Sequence, residues 1–382
     1  MKVFLSGTSF AAEYGGPARS VSALAMALAH RGVEVGVWAA DDSARRTPFL
    51  SEGDHLRILT GGLQEAFAAF GNADLIHDNG IWLSHNHELA SLALKNRLPR
   101  LISIRGMLSP WALAHKRWKK RVAWALYQKS DLKSAACHHV TAGVEAESVR
   151  AFDWDLPICC IPNGVDVPVA QEVIREGLSS LSGNSRNISH TGLVHRTAVF
   201  VGRIHPVKGL PLLVEAWKKV SPLGWKMKIV GPDEVGHRSE VESLIGAARL
   251  NADFEFVGSL AGDDLSGAYA DAELFILPSH TENFGMAVGE ALAHGLPVIT
   301  THGTPWQLLE EERCGWWVPI SADGIARALD DATSRSAAEL SKMGQRGKHI
   351  VVERFSWDKV ADDFIDCYGY LLGKGAKPKC ME

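Results

Sequence analysis

No uninterrupted apolar run in the 382-residue chain approaches the length of a membrane span, so a bundle of transmembrane helices is excluded. Positive charge is not in excess either. The 40 Lys and Arg stand against 44 Asp and Glu, and the net charge of −4 argues against a general nucleic-acid binder. The six cysteines (Cys137, Cys159, Cys160, Cys314, Cys367 and Cys380) include no C-x-x-C pair. They make neither a metal framework nor a disulfide framework, and the compartment expected is the reducing cytoplasm. The G-x-G-x-x-G dinucleotide fingerprint is missing, which counts against an NAD oxidoreductase. No acidic D-x-D cluster sits at a strand end, so no metal is expected. The run Val3-Phe4-Leu5 is too short for a secretory signal and reads as a first strand.

What is present is an ordinary globular composition, 46% hydrophobic and 22% charged, with length for two domains. Val3–Leu5 is followed by a loop ending in Gly15-Gly16-Pro17. A helix marked by Val21, Leu24, Ala25 and Leu28 comes next, then a strand over Val33–Trp38. A strand–loop–helix–strand unit implies a parallel sheet. The glycine loop precedes a helix start, where backbone approaches a phosphate closely; a plain turn explains it equally well. Further strands are expected at Asp74–His77, Leu101–Ile104, His138–Thr141 and Ile158–Ile161. His77 and Arg105 stand at strand ends that would face one crevice of a doubly wound sheet. Residues 111–133 interleave Lys116, Arg117, Lys119, Lys120, Arg121, Lys129 and Lys133 with Trp111, Trp118 and Trp124; Asp131 is the only acid. The stretch reads either as a membrane-surface helix or as a solvated basic face over core tryptophans.

Residues 177–192 have the Ser, Gly and Asn content of a linker. A second alternating half begins at Ala198–Val201, which runs into Gly202-Arg203 and Lys208-Gly209. Two cations thus flank a loop at a strand's carboxyl end. Strands are expected at Lys226–Val230, Phe254–Val257, Glu273–Leu277 and Val298–Thr300. Pro278 ends the third of these, and helical spacing begins at Gly285. Two carboxylates, Glu282 and Glu290, therefore share one strand–loop–helix turn. Open α/β sheets bind ligands at such turns, and the helix start offers N–H groups from about Phe284 to Ala287 to an anion. Trp316-Trp317 reads as packing, and a last helix signal runs from Val360 to Leu372.

Together, Gly15-Gly16, Pro162-Asn163-Gly164-Val165-Asp166, Gly202-Arg203 with Lys208-Gly209, and the Glu282/Glu290 pair resemble the retaining glycosyltransferases of family 4. The resemblance covers nearly the whole chain. It implies an α/β GT-B fold: two Rossmann-like doubly wound domains facing an interdomain cleft. The division expected is an acceptor-binding domain over 1–176, a linker over 177–196, a nucleotide-sugar-binding domain over 197–355, and a helix over 356–382 crossing back to the first domain. Arg105–Trp111 and Gly303–Trp306 look like a bacterial subgroup that builds surface polysaccharides. By this resemblance Arg203 and Lys208 hold the donor diphosphate and, with Glu282, form the catalytic set. Glu290 binds the nucleotide ribose. Glu282 and the backbone at Asn283, Phe284, Gly285 and Met286 face the donor sugar. Gly258-Ser259-Leu260 borders the base, and Gly15 and Gly16 close on the phosphates.

Many members of that family carry a His where this chain has Arg105. Arginine stays protonated and cannot act as a base, so Arg105 is expected to bind a phosphate, with His77 taking up polar contacts near the sugar. The expected activity is a retaining, metal-independent hexosyltransferase working from GDP-mannose or a UDP-sugar. That donor is a substrate, and no cofactor is expected. The acceptor is a saccharide, lipid-linked or free, in polysaccharide, O-antigen or exopolysaccharide synthesis. The expected place is the cytoplasm, with peripheral contact to an anionic membrane through residues 111–133. Nucleotide-sugar epimerases, hydrolases or non-catalytic nucleotide-sugar-binding proteins of the same fold are the alternatives.

Overall fold

The computed structural model describes residues 1–11, 14–114, 116–168 and 195–382. The chain divides into two compact units, Met1–Gly164 with Phe355–Glu382, and Val165–Arg354. All but the last two residues of the linker expected over 177–196 lie outside the described residues.

The first unit is built on seven parallel strands: β1 (Lys2–Gly7), β2 (Glu34–Ala39), β3 (Leu56–Leu59), β4 (Leu75–Asn79), β5 (Arg100–Ser103), β6 (Cys137–Val140) and β7 (Ile158–Cys160). Their order is β3-β2-β1-β4-β5-β6-β7. Helices cover both faces, so strands such as β1 are largely apolar, while β4 and β6 bury the polar His77, Asp78, Asn79, His138 and His139. Alternate residues serve opposite cores. Val3, Leu5, Val35 and Val37 pack with the helices Gly16–His30 and Trp357–Leu371, whereas Phe4, Trp38 and Ile76 pack with Leu63–Phe70 and Ser84–Asn96. The helix Trp357–Leu371 is thus part of this core through Val360, Phe364 and Tyr368. Arg31 adds exposed ion pairs to Asp358 and Asp362, at 3.6 and 3.1 Å. Gly164 is demanded by this packing, because a Cβ there would lie 2.2 Å from Trp357 Cδ2.

The second unit has six parallel strands: β8 (Arg196–Val201), β9 (Trp225–Val230), β10 (Phe254–Gly258), β11 (Leu274–Leu277), β12 (Val298–Thr301) and β13 (Gly315–Val318). Their order is β10-β9-β8-β11-β12-β13. Trp316 and Trp317 lie in β13 and donate their indole N–H groups to Asp331 and to Thr304 O, at 2.8 and 2.9 Å. Each sheet reverses its strand order once, between β1 and β4 and between β8 and β11. In open α/β sheets ligands bind beyond the strand carboxyl ends at such points.

The basic stretch resolves into two populations. Trp124 is a packing residue, with its ring 4.9 Å from Phe152 and 5.7 Å from Trp154. Asp131 is buried beside His87, at 3.0 Å. Trp118, Val122 and Leu126, by contrast, are 69, 51 and 75% exposed among the exposed Lys116, Arg117, Lys119 and Arg121. No described helix is long and apolar enough to cross a membrane.

Candidate active site

The loops that leave β8 and β11 meet at the switch point of the second sheet. Lys208 closes a short turn, Pro206–Lys208, and Gly209 follows at φ +69°. A Cβ on Gly209 would fall 2.1 Å from Pro278 O, so the two loops touch backbone to backbone. His280 N–H also donates to Val207 O at 2.8 Å. These contacts carry Lys208 Nζ to 2.5 Å from Glu282 Oε1, which accepts a second hydrogen bond from Ser279 Oγ at 2.7 Å. Both charged side chains are only 14% exposed. Arg203, 56% exposed, pairs instead with Glu234. The two cations expected on one diphosphate therefore each carry a carboxylate partner, and Glu282 meets Lys208 directly.

The loop between β11 and the helix Met286–Ala293 is held from behind. Glu282 N–H donates to Gly303 O at 2.7 Å, and the buried Trp306 donates Nε1–H to Phe284 O at 2.5 Å. A Cβ on Gly303 would lie 2.4 Å from His280 O, which explains the glycine. Gly285, at φ +81°, precedes the helix and provides no side-chain cap, so no cap side chain takes up the N–H groups of the first turn. Asn283 and Met286 are half-buried, while Phe284 and Gly285 are buried.

One turn further on, Glu290 Oε2 accepts the hydroxyl proton of Tyr269 at 2.9 Å. Tyr269 in turn stacks on His294 with ring centroids 4.7 Å apart. Tyr269 orients Glu290, Ser279 orients Glu282 and Trp306 holds the loop backbone at Phe284, and the sequence alone signalled none of these roles. Gly258 ends β10 at φ +87° and accepts Gly231 N–H at 2.8 Å; Ser259 is exposed and Leu260 half-buried.

The first unit has its own cleft at the β1/β4 switch point. Residues 7–10, Asn79, Gly80, Arg105 and Met107 line a small cavity there, together with Tyr14, Pro17 and Val21. Arg105 Nη2 and Nε donate to Asn79 Oδ1 at 2.8 and 3.3 Å. Its Nη1 donates to Asn163 Oδ1 at 2.9 Å and to Ser20 Oγ at 3.1 Å. Every acceptor is neutral, and among the described residues no carboxylate pairs with this guanidinium. Burial lowers its pKa to about 10, so it keeps its proton at neutral pH. Gly15, at φ +82°, precedes the helix Gly16–His30, and a Cβ on either glycine would meet nothing within 4 Å.

His77 requires a correction. β4 continues two residues past it, to Asn79, and His77 is fully buried in the sheet. It belongs to a chain of hydrogen bonds whose direction the chemistry dictates. His139 Nε2 lies 2.8 Å from Ile161 O and must donate, so its Nδ1 accepts from Ser103 Oγ at 2.7 Å. Ser103 then accepts from His77 Nε2 at 2.7 Å, and His77 Nδ1 accepts from Tyr368 Oη at 2.6 Å. Asn79, not His77, is the polar residue of β4 that reaches Arg105.

Comparison with known proteins follows this division. Residues 15–164 match the family model for the glycosyl transferase 4-like domain, and residues 185–350 match that for glycosyl transferases group 1. An uncharacterized glycosyltransferase of Methanocaldococcus jannaschii is 30% identical over 173 residues, 44% of this chain and 44% of that protein. The chain spans less than half the length of the first curated relatives it matches. Among solved structures, sucrose-phosphate synthase from Thermosynechococcus elongatus is similar with TM-score 0.74 at 22% identity, over 98% of this chain and 99% of that one. HepE from Anabaena, in complex with UDP and glucose, is similar with TM-score 0.70 at 17% identity, over 97% of this chain and 100% of that one. Both units thus have the parallel-sheet, Rossmann-like architecture of the GT-B fold.

Proposed function

The chain pairs a glycosyl transferase 4-like domain with a glycosyl transferases group 1 domain, and from that premise we propose that it is a retaining, metal-independent hexosyltransferase. The donor is a nucleotide sugar, GDP-mannose or a UDP-sugar, and the acceptor is a saccharide on a lipid carrier in bacterial surface-polysaccharide synthesis. The observation that carries this reading is the Lys208–Glu282 pair at the switch point, beside a helix start free of a capping side chain.

Breaking a sugar–diphosphate bond develops negative charge on the leaving phosphate. A fixed ammonium and helix N–H groups aimed there lower the barrier by several kcal/mol without reorganising. Glu282 Oε1 and Ser279 hold the Lys208 ammonium in place, and Arg203 adds a more exposed charge at the loop start. Glu282 Oε2 is left to face the donor sugar. Glu290, oriented by Tyr269, binds the ribose hydroxyls, and Gly258-Ser259-Leu260 borders the base. With retention of configuration, the leaving phosphate takes the acceptor's proton, and no protein base is required. Arg105, charged and surrounded by neutral acceptors, suits a phosphate of the acceptor's carrier. The solved complex of HepE with UDP and glucose supports the donor class.

A thermal-shift panel of nucleoside diphosphates and nucleotide sugars tests the donor. A ligand at 100 times its Kd adds about 2.7 kcal/mol of stability, and a flat panel would remove the reading. Product analysis without acceptor separates transfer from hydrolysis or epimerisation: free sugar or isomerised donor would favour those.

A further inference from the structure

Three of the six cysteines, scattered in sequence, converge in the first unit. Cys137 opens β6, Cys159 is the middle residue of β7, and Cys367 sits on the helix Trp357–Leu371. Their Sγ atoms all lie within 4.8 Å of one another, and all three side chains are fully buried. Two further sulfur residues, Cys380 and Met381, pack against the same apolar core. The segment that carries them runs along the edge of β7. Cys160 N–H donates to Cys380 O at 2.7 Å, and Glu382 N–H donates to Ile158 O at 2.9 Å.

We propose that Cys137, Cys159 and Cys367 form a binding site for one soft, closed-shell cation, and that Cu(I) is the ion the three-sulfur arrangement fits. Thiolates select Cu(I), zinc or iron–sulfur clusters over hard cations. Structural zinc sites take four ligands in a tetrahedron, whereas among the described residues no His or carboxylate joins the three thiols. A metal–sulfur bond of about 2.3 Å places the sulfurs of a planar three-coordinate site about 4.0 Å apart, inside the observed limit. Entry of the ion displaces thiol protons to solvent and leaves every oxidation state unchanged. The site ties two strands to the helix Trp357–Leu371, so the ion stabilises this unit. Cys137 stands at the amino end of its strand, away from the carboxyl ends that carry the cavity around Arg105.

The test is anaerobic titration of the reduced, chelator-treated full chain with Cu(I) against a competing colorimetric chelator. Retention of one equivalent, with a raised melting temperature, is expected. Cys159→Ser and Cys367→Ser should lose that equivalent, while Cys314→Ser, in the other unit, should keep it. If the two serine variants fail to fold, X-ray absorption on the unmodified protein decides: three sulfur neighbours support the site, and two overturn it. Failure to retain Cu(I), or retention unchanged in Cys159→Ser and Cys367→Ser, would end the proposal. Loss in Cys380→Ser, or tight binding of Zn(II) in place of Cu(I), would overturn the three-coordinate assignment.

Discussion

Lys208 and Glu282 offer a quantitative test, because their side chains touch. If Lys208 stabilises the leaving diphosphate, Lys208→Ala should lower kcat about 100-fold, the scale seen when one preorganised charge-stabilising donor is deleted. That factor corresponds to about 2.7 kcal/mol of transition-state stabilisation. Glu282 acts partly through Lys208: its Oε1 lies 2.5 Å from the ammonium, and both groups are mostly shielded from water. Glu282→Ala should therefore lower kcat about 10-fold by releasing the ammonium from its position, at nearly unchanged KM. The double variant is the informative one. With Lys208 gone, the positioning contribution of Glu282 has nothing to act on, so the double variant should fall within about 3-fold of Lys208→Ala alone. That is a coupling of about 0.7 to 1.4 kcal/mol, within the range found for residues in contact. Release of nucleoside diphosphate, followed with the donor that the thermal-shift panel identifies, supplies kcat and KM for all four proteins. A double variant slower than wild type by about 1000-fold, the product of the two single effects, would mean that the residues act independently and would refute the positioning role.

Four further outcomes follow from the geometry. Tyr269→Phe removes the hydroxyl that orients Glu290, so donor KM should rise several-fold at constant kcat in steady-state assays, about 1 kcal/mol of binding. Arg105→Lys and Arg105→Ala should both raise the acceptor KM or lower turnover, and normal constants for both variants would dispose of a phosphate contact. His139 is held neutral by burial, with its pKa pushed down to about 3, and burial lowers His77 in the same direction. An unfolded histidine titrates near 6.5, so between that pH and the folded pKa the unfolded chain binds more protons. Stability then falls as pH drops, by about 2 kcal/mol at pH 5 from His139 alone, which urea unfolding at pH 7.5 and pH 5 should show. Binding to anionic vesicles through the exposed Trp118, Leu126 and their basic neighbours should weaken with added salt and in Trp118→Ala, and salt-insensitive or absent binding would exclude this surface.

Much of this architecture was legible one strand at a time. Val3-Phe4-Leu5, Leu274–Leu277 and Val298–Thr300 are short apolar runs bounded by glycine or proline, and such runs become buried parallel strands because little else covers both faces. The change of spacing at Gly285 located the helix start, since a residue with positive φ and a following helical period are local properties. β3 and the helix Ser84–Asn96 carry weak sequence signals: one is four residues long, and the other has more polar than apolar side chains. Local pattern ends β4 at His77, because Asp78 and Asn79 resemble turn residues, yet the strand runs to Asn79. They are buried in a strand only because Ser6, Asn86, Arg100 and Arg105 satisfy them.

By itself, then, the sequence determined which segments alternate between strand and helix, where chain direction changes, and which charged residues stand at strand ends, since these depend on neighbours within a few positions. Only the tertiary structure decided partnerships. Lys208 and Glu282 meet because Gly209 lets one loop touch the backbone of another. His77 is neutral because the core buries it, and Ser103 and Tyr368 give both of its ring nitrogens a partner there. Cys137, Cys159 and Cys367 converge because the helix Trp357–Leu371 packs on the first sheet. Side-chain chemistry of that kind rests on distances between residues far apart in the chain, which no local pattern encodes.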